Sequence, residues 1–213
     1  MNIKTKELII EIAKTNRLEY LIEEITLAVE KSVERIKSGG KVVVCGNGGS
    51  AADSGHIVGE LMKGFVLPRK LSDKDRNLFI GKVKDGEHLA EKLQYGIPAV
   101  ALTGTEAIST AVMNDNGAEM VFAQQAYALL NENDIFIGIS TSGNAENVTL
   151  AMEVAKVKKA FTIALTGKGG GKMKDLADIN LIVNDTETYR IQEKHLPIYH
   201  LYCMCLENEF FGE

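Results

Sequence analysis

Residues 41–53 read KVVVCGNGGSAAD. Lys41 to Cys45 is a short β-branched run, Gly46-Asn47-Gly48-Gly49 closes it in a tight turn, and helix-forming residues follow from Ser50 to about Lys63. Strand, glycine turn and helix recur at Pro98 to Leu102, Asp134 to Ile139 and Ala160 to Leu165, each an apolar run followed by small or polar residues and a helical segment. Ile179 to Val183 is a fifth strand leading into a terminal helix. This alternation predicts a doubly wound α/β fold, a five-stranded parallel sheet flanked by helices on both faces and joined by right-handed crossovers.

Toward the N-terminus, Ile22, Ile25, Val29, Val33 and Ile36 fall at three- and four-residue steps, the apolar stripe of a long helix ending at Gly39-Gly40. Residues 1–39 are thus N-terminal helices, expected to bury apolar faces against other subunits. Residues 66–96 break the rhythm. They are polar and charged (Arg69-Lys70, Ser72 to Arg76, Lys82 to Asp85), with one helical piece near Glu87 to Gln94, and read as a surface insertion into a single domain over 1–213, either a lid or a partner-facing excursion.

With 45% hydrophobic and 25% charged residues, the 213-residue chain has an ordinary globular composition. Net charge is −5 and the lysines and arginines are spread, which disfavours a nucleic-acid partner. No run reaches membrane-spanning length and Met1 to Lys14 lacks a secretory apolar core, so a cytoplasmic protein without a membrane partner is expected. Cys45, Cys203 and Cys205 form an odd set without disulfide spacing and read as packing cysteines in a reducing compartment.

In open α/β sheets, ligands bind beyond the carboxyl ends of the strands, where backbone N–H groups and helix N-termini face the ligand. Gly46-Asn47-Gly48-Gly49-Ser50 and Ser140-Thr141-Ser142-Gly143-Asn144 both end a strand and open a helix. The second offers three hydroxyls, a phosphate cradle without a lysine. Each loop is also what a structural turn or helix cap looks like. Neither is a Walker loop or a dinucleotide GxGxxG. Thr166 to Lys172, with its glycines, reads as a flexible connection with solvated lysines.

His56 and Glu60, four apart, share one helix face near the helix start. Gln192 and His200 are eight apart in the terminal helix, where Pro197 predicts a kink or a later start. Glu and His suit proton transfer along an enediol. The same four residues also have the donor character of a borderline zinc site, and His56 with Glu60 is equally what a solvated i,i+4 pair looks like, with His200 a core histidine. His88 and His195 are placed at the surface or behind the site.

The ordered set of Val44 to Asp53, His56-xxx-Glu60, Asn114-Asp115, Gly138 to Asn144, Leu165 to Lys168 and Arg190 to Glu193 followed by His200 resembles the sedoheptulose 7-phosphate isomerase (phosphoheptose isomerase) family, from about Gly40 to the C-terminus. The resemblance implies a sugar isomerase (SIS) domain assembled as a homotetramer with sites between subunits, acting on a phosphorylated sugar. It implies Glu60 as base and His200 as acid, zinc at His56, Glu60, Gln192 and His200 in members that bind it, and sugar phosphate contacts from Asn47, Gly48, Gly49, Ser50, Asn114, Asp115, Ser140, Thr141, Ser142 and Gln192. Three positions depart from the pattern and bear on the sugar: Ala145 where a serine is common, Lys63-Gly64 for a Gly-Arg pair, and Tyr189 where an acidic residue is frequent. Two other readings share the fold, a sugar-phosphate sensor and a protein-binding module resembling the replication initiator-associating protein. In the latter branch the acidic base and late histidine are not retained, whereas Glu60 and His200 are present here.

Overall fold

A computed structural model of the protein describes residues 1–212. In chain order the elements are α1 (Ile3–Asn16), α2 (Ile22–Lys37), β1 (Val42–Gly46), α3 (Gly49–Met62), α4 (Asp73–Arg76), α5 (Gly86–Lys92), β2 (Ala99–Ala101), α6 (Glu106–Asp115), α7 (Val121–Leu129), β3 (Ile135–Ser140), α8 (Glu146–Val157), β4 (Phe161–Thr166), α9 (Met173–Leu176), β5 (Ile179–Ile182) and α10 (Thr188–Phe211). All five predicted strands form, each end within one residue of its expected place. They pair in parallel in the order β2-β1-β3-β4-β5.

Alternate residues of the buried strands face opposite layers. Val42 and Val44 join a core with Ile25 and Val29 of α2, Ile57 of α3 and Ile198 of α10. Val43 and Cys45 join the second core, with Phe122 of α7 and Val148 and Met152 of α8. Helices α1, α2, α3 and α10 therefore cover one face and α6 to α9 the other. This corrects the expectation for the N-terminal helices: α2 buries Ile25, Ala28 and Val29 in its own chain's core, and Tyr202 of α10 donates to Ser32 at 2.8 Å. On α1, Ile9 and Ala13 are buried while Ile3 and Ile10 stay exposed. Helix α10 starts nine residues before Pro197 and runs through it, so the later start is not found.

The insertion is also less superficial than its charges suggest. Its two ends are zipped by an antiparallel bridge between Lys70 and Gln94 and by Tyr95 N–H donating to Arg69 O at 2.8 Å. Arg69, expected at the surface, is 2% exposed and pairs through Nε with Glu207 Oε1 of α10 at 2.8 Å. Glu207 also accepts from the N–H groups of Phe65, Val66 and Leu67 at 2.8, 2.8 and 3.0 Å. Burial would raise the Glu207 carboxyl, but these N–H bonds and the guanidinium hold it below its usual value. Only then is the segment free to carry α4 and α5 outward.

The Thr166 to Lys172 connection is packed rather than free. Gly143 has φ +65°, and a Cβ there would collide with the carbonyl of Gly170, so the two glycine loops touch backbone to backbone. Met173 N–H donates to Gly143 O and Lys172 N–H to Asn144 Oδ1, both at 3.0 Å, buttressing the loop after β3. The cysteines are unpaired and buried as read, and burial pushes the Cys205 thiol up to about 12.

His195, expected at the surface or behind the site, is fully buried, with Nε2 3.3 Å from Thr166 O and Nδ1 without a partner. Burial lowers its pKa to about 4, against the bond to Thr166. A folded-state pKa below the ordinary value means the unfolded chain takes up the proton first as pH falls. Stability should therefore fall by about 2 kcal/mol between pH 7 and pH 5 through this residue alone. Chemical denaturation of wild type and His195→Phe at both pH values checks it, the difference between the two pH values being smaller in the variant by that amount.

Candidate functional site

In this strand order the crossovers leave β1 and β3 in opposite directions, which opens a crevice at their carboxyl ends. The crevice holds a pocket of about 260 Å³ lined by Asn47, Ser50, Ser140, Thr141, Ser142 and Gln192, together with Ile139, Ala145 and Thr188. Asn47, Ser50, Ser140, Thr141 and Ser142 are thus brought to one place, while Gly48 and Gly49 do not line it. Gly48 has φ +55° at the start of α3, and a Cβ on Gly49 would stand 2.5 Å from Gln192 Nε2, so a side chain there would displace the amide.

Ala145 precedes α8 in the N-cap position and makes no side-chain cap. A serine there would occupy a free N–H group of the first turn; with alanine those N–H groups stay available to an anion, whereas in α3 the Ser50 and Ala51 N–H groups already donate to Asn47 O and Gly48 O, both at 3.0 Å. No lysine or arginine lines the pocket. Neutral hydroxyls and helix N-termini are what it offers. Asn47 and Asn147 exchange two amide hydrogen bonds at 2.9 and 3.0 Å and fasten the two loops together. The sequence reading missed Asn147, because an asparagine in a helix's first turn has no spacing signature of its own.

The second cluster lies farther along α3 and α10. His56 Nε2 is 3.1 Å from Glu60 Oε1 and 3.5 Å from His200 Nε2. The three predicted groups therefore meet, although Glu60 is in the last turn of α3 rather than near its start. Tyr199 OH is 3.0 Å from His56 Nδ1 and donates to Asp53 Oδ1 at 3.2 Å. Burial raises the Asp53 carboxyl, opposed by the Tyr199 bond and by His56. Tyr199 has one phenolic proton, which it gives to Asp53, so its oxygen ties the His56 ring to that carboxylate. Burial and the neighbouring His56 lower the His200 pKa, against Glu60, which favours its neutral imidazole.

An imidazole nitrogen 3.1 Å from a carboxylate oxygen needs a proton or a cation between them. Two imidazoles and a carboxylate suit zinc, and their 3.1 and 3.5 Å separations bracket the roughly 3.3 Å edge of a tetrahedron with zinc bonds near 2.0 Å. His56, Glu60 and His200 have the donor chemistry that zinc takes. They do not form a closed cage: among the described residues no three His, Cys, Asp or Glu side chains are arranged as a ready cation site. Gln192 sits at the pocket against Gly49.

Asn114 and Asp115, at the end of α6, are exposed and bonded to each other at 2.7 Å; they do not line the pocket. Gly64 donates to Gln94 Oε1 at 2.9 Å, and the exposed Tyr189 ring carries the Arg190 guanidinium 5.6 Å from its centroid. Replacing Asn147 by Leu removes both inter-loop hydrogen bonds. At a net of about 0.5–1 kcal/mol each, their loss should lower the unfolding free energy by about 1–2 kcal/mol, and inorganic phosphate should bind up to about tenfold more weakly by calorimetry.

Two SIS domain family models match the chain, over residues 71–202 and 10–96. A phosphoheptose isomerase of Helicobacter pylori (strain P12) is 40% identical over 193 residues, covering 91% of this chain and 88% of the relative. Among solved structures, a phosphoheptose isomerase from Francisella tularensis superposes with TM-score 0.75 at 33% identity, covering 95% of this chain and 94% of that one. Phosphoheptose isomerase GmhA from Neisseria gonorrhoeae gives 0.73 at 32%, covering 94% and 93%. With the sheet order, the crevice and the paired helices already in place, the chain belongs to the phosphoheptose isomerase family of SIS domain proteins.

Proposed function

We propose that the protein is an aldose–ketose isomerase of phosphorylated sugars, acting on sedoheptulose 7-phosphate or a closely related sugar phosphate through an enediol. One observation carries this reading. Helices α3 and α10 run side by side in the same direction, with Gly49 beside Gln192 at the pocket and His56 beside His200 farther along. Gln192 and His200 are eight residues apart, about 12 Å of helix. An open-chain seven-carbon phosphate spans eight bonds from C1 to phosphorus, about 10 Å at standard bond lengths, and so reaches from the phosphate cradle to the histidines.

In the reaction, the hydroxyls of Ser140, Thr141 and Ser142 and the helix N–H groups hold the phosphate dianion and fix the register of the chain. Asn47, Gly48, Gly49, Ser50 and Gln192 line the path of the sugar. Glu60 removes a proton from the carbon beside the carbonyl, and His200 delivers a proton to the carbonyl oxygen. The resulting enediol gives up its other hydroxyl proton, and the neighbouring carbon takes a proton back. Aldose and ketose thereby exchange with no net gain or loss of atoms. A zinc ion held by His56, Glu60 and His200, with Gln192 as a further donor, would supply polarisation of the carbonyl.

The assembly belongs to the same proposal. The exposed Asn114 and Asp115, outside their own chain's pocket, would serve the site of a neighbouring subunit in a homotetramer. Sedimentation velocity showing only monomer would contradict that. Buried unpaired cysteines and the absence, among the described residues, of any helix long and apolar enough to cross a membrane suit the cytoplasm.

A coupled assay on sedoheptulose 7-phosphate, with and without zinc, tests the activity. Glu60→Gln should lower kcat about 10³-fold while the sugar phosphate still binds; retained turnover would remove Glu60 from the base role. Ser140→Ala combined with Thr141→Ala should raise KM about tenfold or more with little change in kcat, by loss of two phosphate hydrogen bonds.

A further inference from the structure

Arg69 spends all three of its guanidinium nitrogens inside the protein. Nε meets Glu207 Oε1 at 2.8 Å, Nη1 donates to Leu61 O at 2.6 Å and Nη2 to Glu60 O at 3.1 Å. Those carbonyls end α3, where unpaired C=O groups carry partial negative charge. Glu60, whose carboxylate stands in that unfavourable last turn, is thus held through its own backbone by a cation. On the other side, Glu207 takes the N–H groups of residues 65–67, and this fixes Phe65, whose ring centroid lies 5.3 Å from that of His200. His200 and Glu207 are seven residues apart on α10, two turns along the same face.

A buried ion pair recovers little net stability against an apolar replacement. What it supplies is direction, since a guanidinium presents its donors in a fixed planar fork. We propose that the Arg69–Glu207 pair is a positioning clamp, which sets Glu60 through the end of α3 and His200 through Phe65, and so holds the two proton-transfer groups in register. The proposal rests on the reading of Glu60 and His200 as base and acid. It also gives the neck of the 66–96 insertion a role: the segment brings the arginine in before it turns outward.

Arg69→Lys separates the clamp from simple charge pairing, because an ammonium keeps the charge beside Glu207 but cannot reach all three acceptors in one plane. The expected result is a kcat lower by on the order of 100-fold, the effect of an ångström-scale misplacement, with KM within about twofold and inorganic phosphate affinity unchanged. Phe65→Leu, which leaves the ion pair intact, should also lower kcat with KM retained, and it stands in if Arg69→Lys does not fold. A folded variant with wild-type kcat overturns the proposal. The second readout is independent of turnover: the imidazole 1H–13C resonances of His56 and His200 should move in both variants. Unmoved His200 resonances overturn the clamp even if wild type isomerises. If wild type turns over no sugar phosphate, the functional reading fails, and moved resonances would then support the clamp as a device positioning the two side chains alone.

Discussion

The parallel pairing of β1 with β3 between outward-running crossovers is the constraint on which the rest depends. It is anchored at the entry end, where buried Asp134 takes both the Lys41 ammonium, at 2.6 Å, and the Lys41 N–H, at 2.9 Å. At the exit end the register sets Gly46 level with Ile139, so the two loops emerge together and start two helices over one crevice. No lysine or arginine lines that crevice, which presents hydroxyls and the uncapped start of α8. Because α3 leaves the crevice across the face that α10 also covers, the same pairing decides where the histidines meet.

Buried polarity is the second theme. Arg69, Glu207, Asp134 and His195 are charged or titratable residues with almost no exposure. Three of them are matched: the arginine and the two acids each have several partners within hydrogen-bonding distance, which is the condition under which such burial is tolerated. His195 is the exception, bonded at one nitrogen only, and it resolves the cost by staying neutral. Its place behind β4 leaves it no contact with the proton-transfer cluster. His200, by contrast, lies beside a second imidazole that itself stands against the Glu60 carboxylate.

Much of this was legible in the chain. The strands were, because buried parallel strands are unbroken apolar runs closed by glycine or serine turns, and five such runs admit few topologies. The two glycine and hydroxyl loops were legible as a pair, and so were His56 with Glu60 as an i,i+4 pair and Gln192 with His200 as their companions from the terminal helix, with base and acid roles added by the family resemblance. Arg69 was not legible, because a charged residue among charged residues reads as solvated, and its partner is 138 positions away. Nor were Tyr199 and Asp53, which stand in line behind His56, the phenol bonding the imidazole and donating in turn to the carboxylate. His195 and His200 look alike in sequence; only the packing of α10 against β4 on one side and α3 on the other separates the buried residue from the one beside His56.

The central claim is that Glu60 and His200 move a proton at the carbons that the phosphate pocket places beside them. Incubating the wild-type protein with sedoheptulose 7-phosphate in deuterium oxide, and following the sugar by proton NMR, tests it most directly. The account predicts deuterium entering at C1 and C2 as aldose and ketose exchange, since a proton held on a side chain trades with solvent. Isomerisation with no deuterium uptake would indicate direct hydride transfer between the carbons and contradict the enediol route.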